Sequence, residues 1–264
     1  MTVNREPLSE YASYLALPEV LEAQRPRSEA HDEHLFIVAH QVHELWFKQL
    51  LLELERLQEQ LEQGETMPSL HTLRRSMRIL TVVVSPIDVL GTMTPRQFDG
   101  FREKLGTGSG FQSAQFRELE AVLGRRDARL YEHYEPGGTE HTRIEAAVNR
   151  PSLFDSFLAF LAKHGHPVPN EILYRDVTIA AEPSTTLQAV LAVAYRDDEG
   201  VAQLCDRLVE VDQAVQEWRY RHVAMVERII GGKHGTGGSS GATYLRNTLF
   251  HPTFPDLWAV RSEL

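Results

Sequence analysis

From Asp32 to Glu62 the chain runs without a glycine or a proline. Such a stretch reads as one long helix, and it opens on Asp32 and Glu33, acids suited to the positive end of the helix dipole. Its first half is apolar on almost every side (Leu35, Phe36, Ile37, Val38, Ala39, Val42, Leu45, Trp46, Phe47). The second half is amphipathic, with Leu54, Leu57 and Leu61 set among Glu, Arg and Gln. The pattern describes a helix that enters a core and then emerges from it. A second long helix is expected from about Asp197 to Ile230, ended by Gly231-Gly232.

The remaining punctuation is helical too. A helix is expected from near Pro68 through Leu80 towards Thr94-Pro95. Shorter helices broken by Gly106-Thr-Gly-Ser-Gly110 fill about 95 to 135, a turn falls at Pro136-Gly-Gly138, and another helix follows Pro151. His164-Gly-His-Pro-Val-Pro169 reads as a loop, and Asp176-Val-Thr-Ile-Ala is too short to argue for a sheet. No repeat or linker divides the chain, so the expectation is a single all-α, helical-bundle domain over residues 1–264.

Composition narrows the function. Apolar residues make up 42% and charged residues 24%, ordinary for a globular chain of 264 residues. A net charge of −10 argues against gripping phosphate backbones, so no nucleic-acid partner is expected. No run of about 18 apolar residues suggests a membrane span, and the start of the chain lacks the apolar core of a secretory signal. Cys205 is the only cysteine, which rules out internal disulfides, iron–sulfur clusters and cysteine-rich zinc sites. The expected location is the cytoplasm.

The late helix supplies the first chemical signal. Leu208, Val211, Val215, Trp218, His222, Met225 and Ile229 recur at spacings of three and four, with His222 inside the apolar stripe. A histidine so placed often hydrogen-bonds to a neighbour in a core. The sharper reading is an imidazole ligand facing a cofactor cavity, and haem suits it, needing an apolar slot and one strong nitrogen ligand. Charged neighbours, Arg219 among them, fall mostly off the stripe.

The early helix repeats the theme, with Phe36, His40, His43 and Phe47 along one side and Glu44 one turn from His40. A polar spot in a core helix is the bland account. The order His-x-x-His-Glu matches neither zinc-protease pattern, and no paired Glu-x-x-His motifs support a di-iron bundle. The loop Gly231-Gly-Lys-His-Gly-Thr-Gly-Gly-Ser-Ser-Gly241 follows a helix instead of a strand and has no Gly-Lys-Ser/Thr, so it is no nucleotide loop. Its glycines would let backbone approach a ligand, with Thr236 and Ser239–Ser240 offering hydroxyls; a surface linker is the plain alternative. Arg102, in Phe98-Asp-Gly-Phe-Arg102, is a surface residue by default, though its aromatic neighbours suggest a partly buried guanidinium.

Together these blocks carry a resemblance. Leu35-Phe-Ile-Val-Ala-His-Gln-Val-His-Glu-Leu-Trp-Phe-Lys48 resembles the first signature of the tryptophan 2,3-dioxygenase family. Phe98-Asp-Gly-Phe-Arg102 with Ser109-Gly-Phe-Gln-Ser113 and Gln115-Phe-Arg117 is similar to the second. Trp218-Arg-Tyr-Arg-His222 through Gly231, closed by Gly235 to Gly241, is similar to the third. The blocks stand in the family's order across nearly the whole chain, and Tyr11-Ala-Ser-Tyr-Leu15 resembles its N-terminal segment. His43 is a departure, since Tyr is common there in the family; Phe98 stands where some bacterial members carry Tyr.

The resemblance implies a homotetramer with haem b in each subunit, acting on L-tryptophan or a related indole with O₂. It makes His222 the axial ligand of the haem iron and His40 the catalytic histidine near the indole N–H. Arg102 would hold the substrate carboxylate, Thr236 would contact the ammonium and carboxylate end, and Phe36 and Phe98 would wall the indole. Ser109 and Gly110 would line the distal face of the haem. Residues 1–30 would contact a neighbouring subunit, with Tyr11, Tyr14 and Leu15 reaching its pocket. The implied reaction opens the indole ring to N-formyl-L-kynurenine, the first step of tryptophan catabolism by the kynurenine route. Two alternatives stay open: a related haem monooxygenase acting on a C3-substituted indole or modified tryptophan in natural-product biosynthesis, and a haem-binding sensor without turnover.

Overall fold

The computed structural model describes residues 9–127, 130–237 and 241–264. Two short helices, α1 (Glu10–Tyr14) and α2 (Leu17–Leu21), lead into the long pair α3 (His31–Gln63) and α4 (Thr66–Leu90). Then come α5 (Pro95–Asp99), two 3-10 turns (Arg102–Leu105 and Gly110–Gln112), α6 (Ala114–Val122), α7 (Thr139–Val148), α8 (Leu153–Lys163) and α9 (Asn170–Leu173). The chain closes with α10 (Thr185–Asp197), α11 (Glu199–Ile230), α12 (Ala242–Arg246) and α13 (Pro255–Ala259), followed by a last 3-10 turn. The described residues contain no strand, so the all-α expectation holds, and no described helix is long and apolar enough to cross a membrane.

The three long helices match the stretches expected from periodicity to within a few residues. α7 and α10 lie outside those stretches. Thr139–Val148 buries only Ile144 and Val148 and so carries a thin stripe. α10 follows Ser184, whose side chain accepts from the Leu187 amide as an N-cap. Asp198 does the same for Val201 at the start of α11, and Ser152 and Asp155 form a reciprocal capping box on α8.

α4 is the central element, packed against both α3 and α11. The start of α11 meets the start of α4, where a Cβ at Gly200 would stand 2.9 Å from Thr66 Cγ2, so a larger residue would force Thr66 to shift. One end further on, Arg221 of α11 pairs with Asp88 of α4 at 3.0 Å. α4 and α11 therefore run in the same direction, antiparallel to α3. Pro86 sits inside α4 and withholds one amide from the helix ladder, which nevertheless continues to Leu90.

The main core lies where the second half of α3 meets α4, α8, α10 and the first half of α11. Leu57, Leu61, Leu73, Val83, Phe157, Leu204 and Leu208 have no exposed surface there. The C-terminal segment is tied down by Asp212, fully buried on α11, which accepts from the amides of Thr253 and Phe254 and from Trp258 Nε1 at 2.8–3.2 Å. A smaller cluster of Ala39, Leu90, Met93, Phe98, Phe101 and Ile229 forms at the opposite end of the long helices. That end holds the cavity.

Candidate active site

The beginning of α3, the end of α4, the end of α11 and the loops after α5 and α11 surround about 1210 Å³ of empty space, the open mouth included. Much of the lining is apolar, from Leu90, Met93, Phe116, Met225, Val226 and Ile229. Into this slot project two histidines, one from each long antiparallel helix.

Helical spacing sets the first. His40 lies one turn after Phe36, its Nδ1 2.7 Å from the Phe36 carbonyl oxygen and the two rings 4.1 Å apart. A carbonyl only accepts, so Nδ1 carries the proton and Nε2 keeps its lone pair. Burial pushes the His40 pKa below 6.5, more than the Phe36 carbonyl and the Glu44 charge push it up. A neutral imidazole thus offers an acceptor to the cavity. Nε2 lies 3.7 Å from where a Cβ at Gly110 would stand, so Gly110 faces it across the slot.

His222, on α11, is fixed by stacking. Trp218 lies one turn earlier with its ring 5.1 Å away and tilted by 28°, and Trp218 is itself held against Phe116 at 4.6 Å. Neither nitrogen of His222 makes a hydrogen bond among the described residues; the surface it leaves open faces the cavity. Burial holds its pKa down to about 4, and the nearby His40, His43 and Arg117 push the same way. A neutral, unpartnered imidazole in an apolar slot is what an axial iron ligand requires.

The described residues hold no group of three or more His, Cys, Asp and Glu that could chelate a bare ion. A metal at His222 would have to arrive with ligands of its own, as in haem, and the mostly apolar lining around His222 fits that group. Cys205 is no competitor. It lies in the main core, where burial raises its thiol to about 12, and it does not line the cavity.

Arg102 and Thr236 come together at the cavity from two loops far apart in sequence. Arg102 is half-buried, as its aromatic surroundings suggest, and Nη2 donates to the His234 carbonyl at 2.5 Å. The Thr236 hydroxyl donates to the Gly108 carbonyl at 2.6 Å, and Lys233 pairs with Asp99 at 3.1 Å. The glycine loop is therefore laced to the Arg102–Gly110 segment. A Cβ at Gly237 would stand 2.8 Å from Ser109 Cβ, so this lacing needs a glycine. Ser239 and Ser240 lie outside the described residues. Phe36 and Phe98 are 6.0 Å apart beside the clamp, and Ser109 lines the same wall.

Not every expected residue gathers here. Tyr11, Tyr14 and Leu15 are 70%, 89% and 40% exposed and do not reach the cavity of their own chain. His43 turns away from it into the core, Nδ1 2.9 Å from the Ala39 carbonyl, and its buried Nε2 has no hydrogen-bond partner within 3.5 Å among the described residues. Conversely, Arg219 does not stay outside with the other charges of its helix. It turns inward beside Arg117 and Glu120, and all three line the cavity. The spacing that could have revealed them is one turn, Arg117 to Glu120 on α6 and Arg219 to His222 on α11.

The arrangement defines a class: an all-helical protein with a mostly apolar cavity into which two imidazoles, a guanidinium and a threonine hydroxyl are gathered from separate elements. Comparison with known families agrees. The family model described as tryptophan 2,3-dioxygenase matches residues 2–164 and 181–264, and the chain belongs to this family. A tryptophan 2,3-dioxygenase of Anaeromyxobacter sp. (strain K) is 59% identical over 254 residues, covering 96% of each chain. Those of Herpetosiphon aurantiacus and Caulobacter vibrioides are 50% and 43% identical, covering 96% of this chain and 98% of theirs.

Proposed function

We propose that this chain is a haem b-dependent tryptophan 2,3-dioxygenase, converting L-tryptophan and O₂ to N-formyl-L-kynurenine. The observation that carries the reading is the pairing, in one cavity, of a neutral unpartnered His222 with an Arg102–Thr236 clamp. When bound, haem supplies the ferrous iron at which O₂ is activated.

The rest of the chemistry falls to side chains. Arg102 offers a planar fork for the amino-acid carboxylate, two parallel charge-assisted bonds where lysine would give a point charge. Thr236 adds a hydroxyl at the same end, and Phe36 and Phe98 hold the indole between rings. His40 presents an unprotonated Nε2, so it accepts a hydrogen bond from the indole N–H and fixes which edge faces O₂. The slot excludes water from the reacting bond. Dioxygen adds across C2=C3, that bond breaks, and both oxygen atoms leave in the product, so no external reductant is consumed.

In this reading residues 1–264 act as one helical dioxygenase domain, a homotetramer in the cytoplasm. The exposed Tyr11, Tyr14 and Leu15 support a role for residues 1–30 at a neighbouring subunit's cavity. The test is to load the protein with haem, reduce it, add L-tryptophan under ¹⁸O₂ and weigh the product. Two labelled atoms are expected. One labelled atom would make the chain a monooxygenase, and haem uptake without any product would make it a sensor.

A further inference from the structure

α1 and α2 contain no buried residue, and Tyr11, Tyr14 and Leu21 lie open to solvent. The stretch that joins them to α3 is the opposite, pinned at several points. Gln24 Nε2 donates to Gln41 Oε1 at 2.6 Å, and Gln41 Nε2 donates to the Ala23 carbonyl at 3.3 Å. A further fixture is Glu33, only 2% exposed. It accepts from the amides of Arg27 and Ser28 at 2.8 Å each and from the Ser28 hydroxyl at 2.5 Å. Burial pushes its carboxyl pKa up, but these three bonds outweigh it and hold the group below its usual value.

Capping alone does not call for this arrangement. A glutamate at the third position of a helix ordinarily reaches back to the amide of the N-cap residue. Here the N-cap is Ala30, whose amide already donates to Ser28 Oγ at 3.2 Å. Glu33 reaches past it, to amides outside the helix, and so sets the direction in which the chain approaches α3. The place lies beside the cavity: Ala30 packs on the small cluster around Phe98, and Phe36 and His40 follow within two turns on the same helix.

We propose that Glu33 is a positioning residue for the neighbouring subunit's site, fixing the root of the N-terminal arm so that Tyr11, Tyr14 and Leu15 arrive there in one orientation. The proposal rests on the reading that residues 1–30 serve a neighbouring cavity. An ionised carboxylate suits the task, because bonds to two successive amides fix the rotation of the chain as well as its place. Without it the arm would have to be ordered each time the neighbouring cavity closes on substrate, and that entropy would weaken tryptophan binding.

Haem-loaded Glu33→Ala should keep its Soret band and kcat, with KM for tryptophan raised about tenfold, the worth of one charge-assisted bond. In the apoprotein, trypsin should cut after Arg27 faster than in the wild type. Ser28→Ala, which removes one of the three bonds, should move both readouts the same way by less. The decisive step mixes Glu33→Ala chains with His222→Ala chains in one oligomer. Haem-bearing cavities then belong to Glu33→Ala chains, and those beside a His222→Ala chain receive an arm with Glu33 intact. KM at these sites should return to the wild-type value. A KM that stays raised in the mixture would overturn the proposal, because Glu33 would be acting on its own cavity. So would an unchanged KM in Glu33→Ala; a raised KM in Tyr14→Ala would then leave the arm reading standing, and an unchanged one would remove it as well.

Discussion

The two ends of the three long helices are built on one spacing and differ in what meets the stripe. At the core end, Leu54, Leu57 and Leu61 of α3 face Leu73 of α4 and Leu204 and Leu208 of α11 with almost no exposed surface. At the cavity end the same faces continue as His40, Leu90, Trp218 and His222 around open space. Helical periodicity persists through both, but at one end the stripe meets other side chains and at the other it lines a cavity. A stripe that stays in register while turning to histidine marks a surface built for something other than side chains.

The difference can be broken most decisively at His222. Replacing it with alanine should remove the Soret signature of a histidine-bound haem and lower turnover by more than the roughly 10–100-fold that an outer-shell partner is worth. Urea unfolding of the apoprotein should change little, because His222 borders the cavity and makes no hydrogen bond among the described residues. The mirror experiment is Leu208→Ala, which should destabilise by about 2–5 kcal/mol, with turnover per folded molecule preserved. If Leu208→Ala instead abolished haem binding, the two ends would not be separable.

Arg102→Lys should lower kcat/KM for tryptophan about tenfold or more, through lost bidentate bonding worth about 1.5–3 kcal/mol, with the haem spectrum unaltered. A pH titration separates the ends without mutation. Burial depresses His40, His43 and His222, the last to about 4, whereas an unfolded histidine keeps its ordinary 6.5. Between those values the unfolded chain binds more protons, so apoprotein stability should fall as pH drops from 6.5 towards 4. Urea midpoints across that range check the sign, and a flat or rising profile would contradict neutral burial. Leu90→Ala should destabilise less than Leu208→Ala. Leu90 already borders empty space, so its loss should lie near the low end of the about 2–5 kcal/mol range in the apoprotein.

Much of this division was legible before any coordinates. The long helices α3 and α11 declare themselves through uninterrupted stripes, and His40 and His222 are conspicuous as imidazoles within apolar faces. Arg102 carried only the hint of its flanking phenylalanines. Arg219 was easy to pass over, because it reads as one of the charges flanking the stripe although it lies one turn before His222. Its burial depends on Glu120, distant in sequence on α6, and such a partner has no local signal. α7 went unseen for the related reason that a helix burying two residues has almost no periodicity to read. His43 is the reverse case: it reads as a second site histidine, and packing against Phe47 and Trp218 turns it into the core.

The lacing of Arg102 to the His234 carbonyl and of Thr236 to the Gly108 carbonyl bears on selectivity. A ligand entering the clamp competes there with neutral amide oxygens that already accept from Nη2 of Arg102 and from the Thr236 hydroxyl. The exchange is favourable only for a group that accepts more strongly than a neutral amide oxygen, as a carboxylate does. Indole or tryptamine, with the right ring and no carboxylate, has nothing to barter for Arg102, and the loops keep their own company.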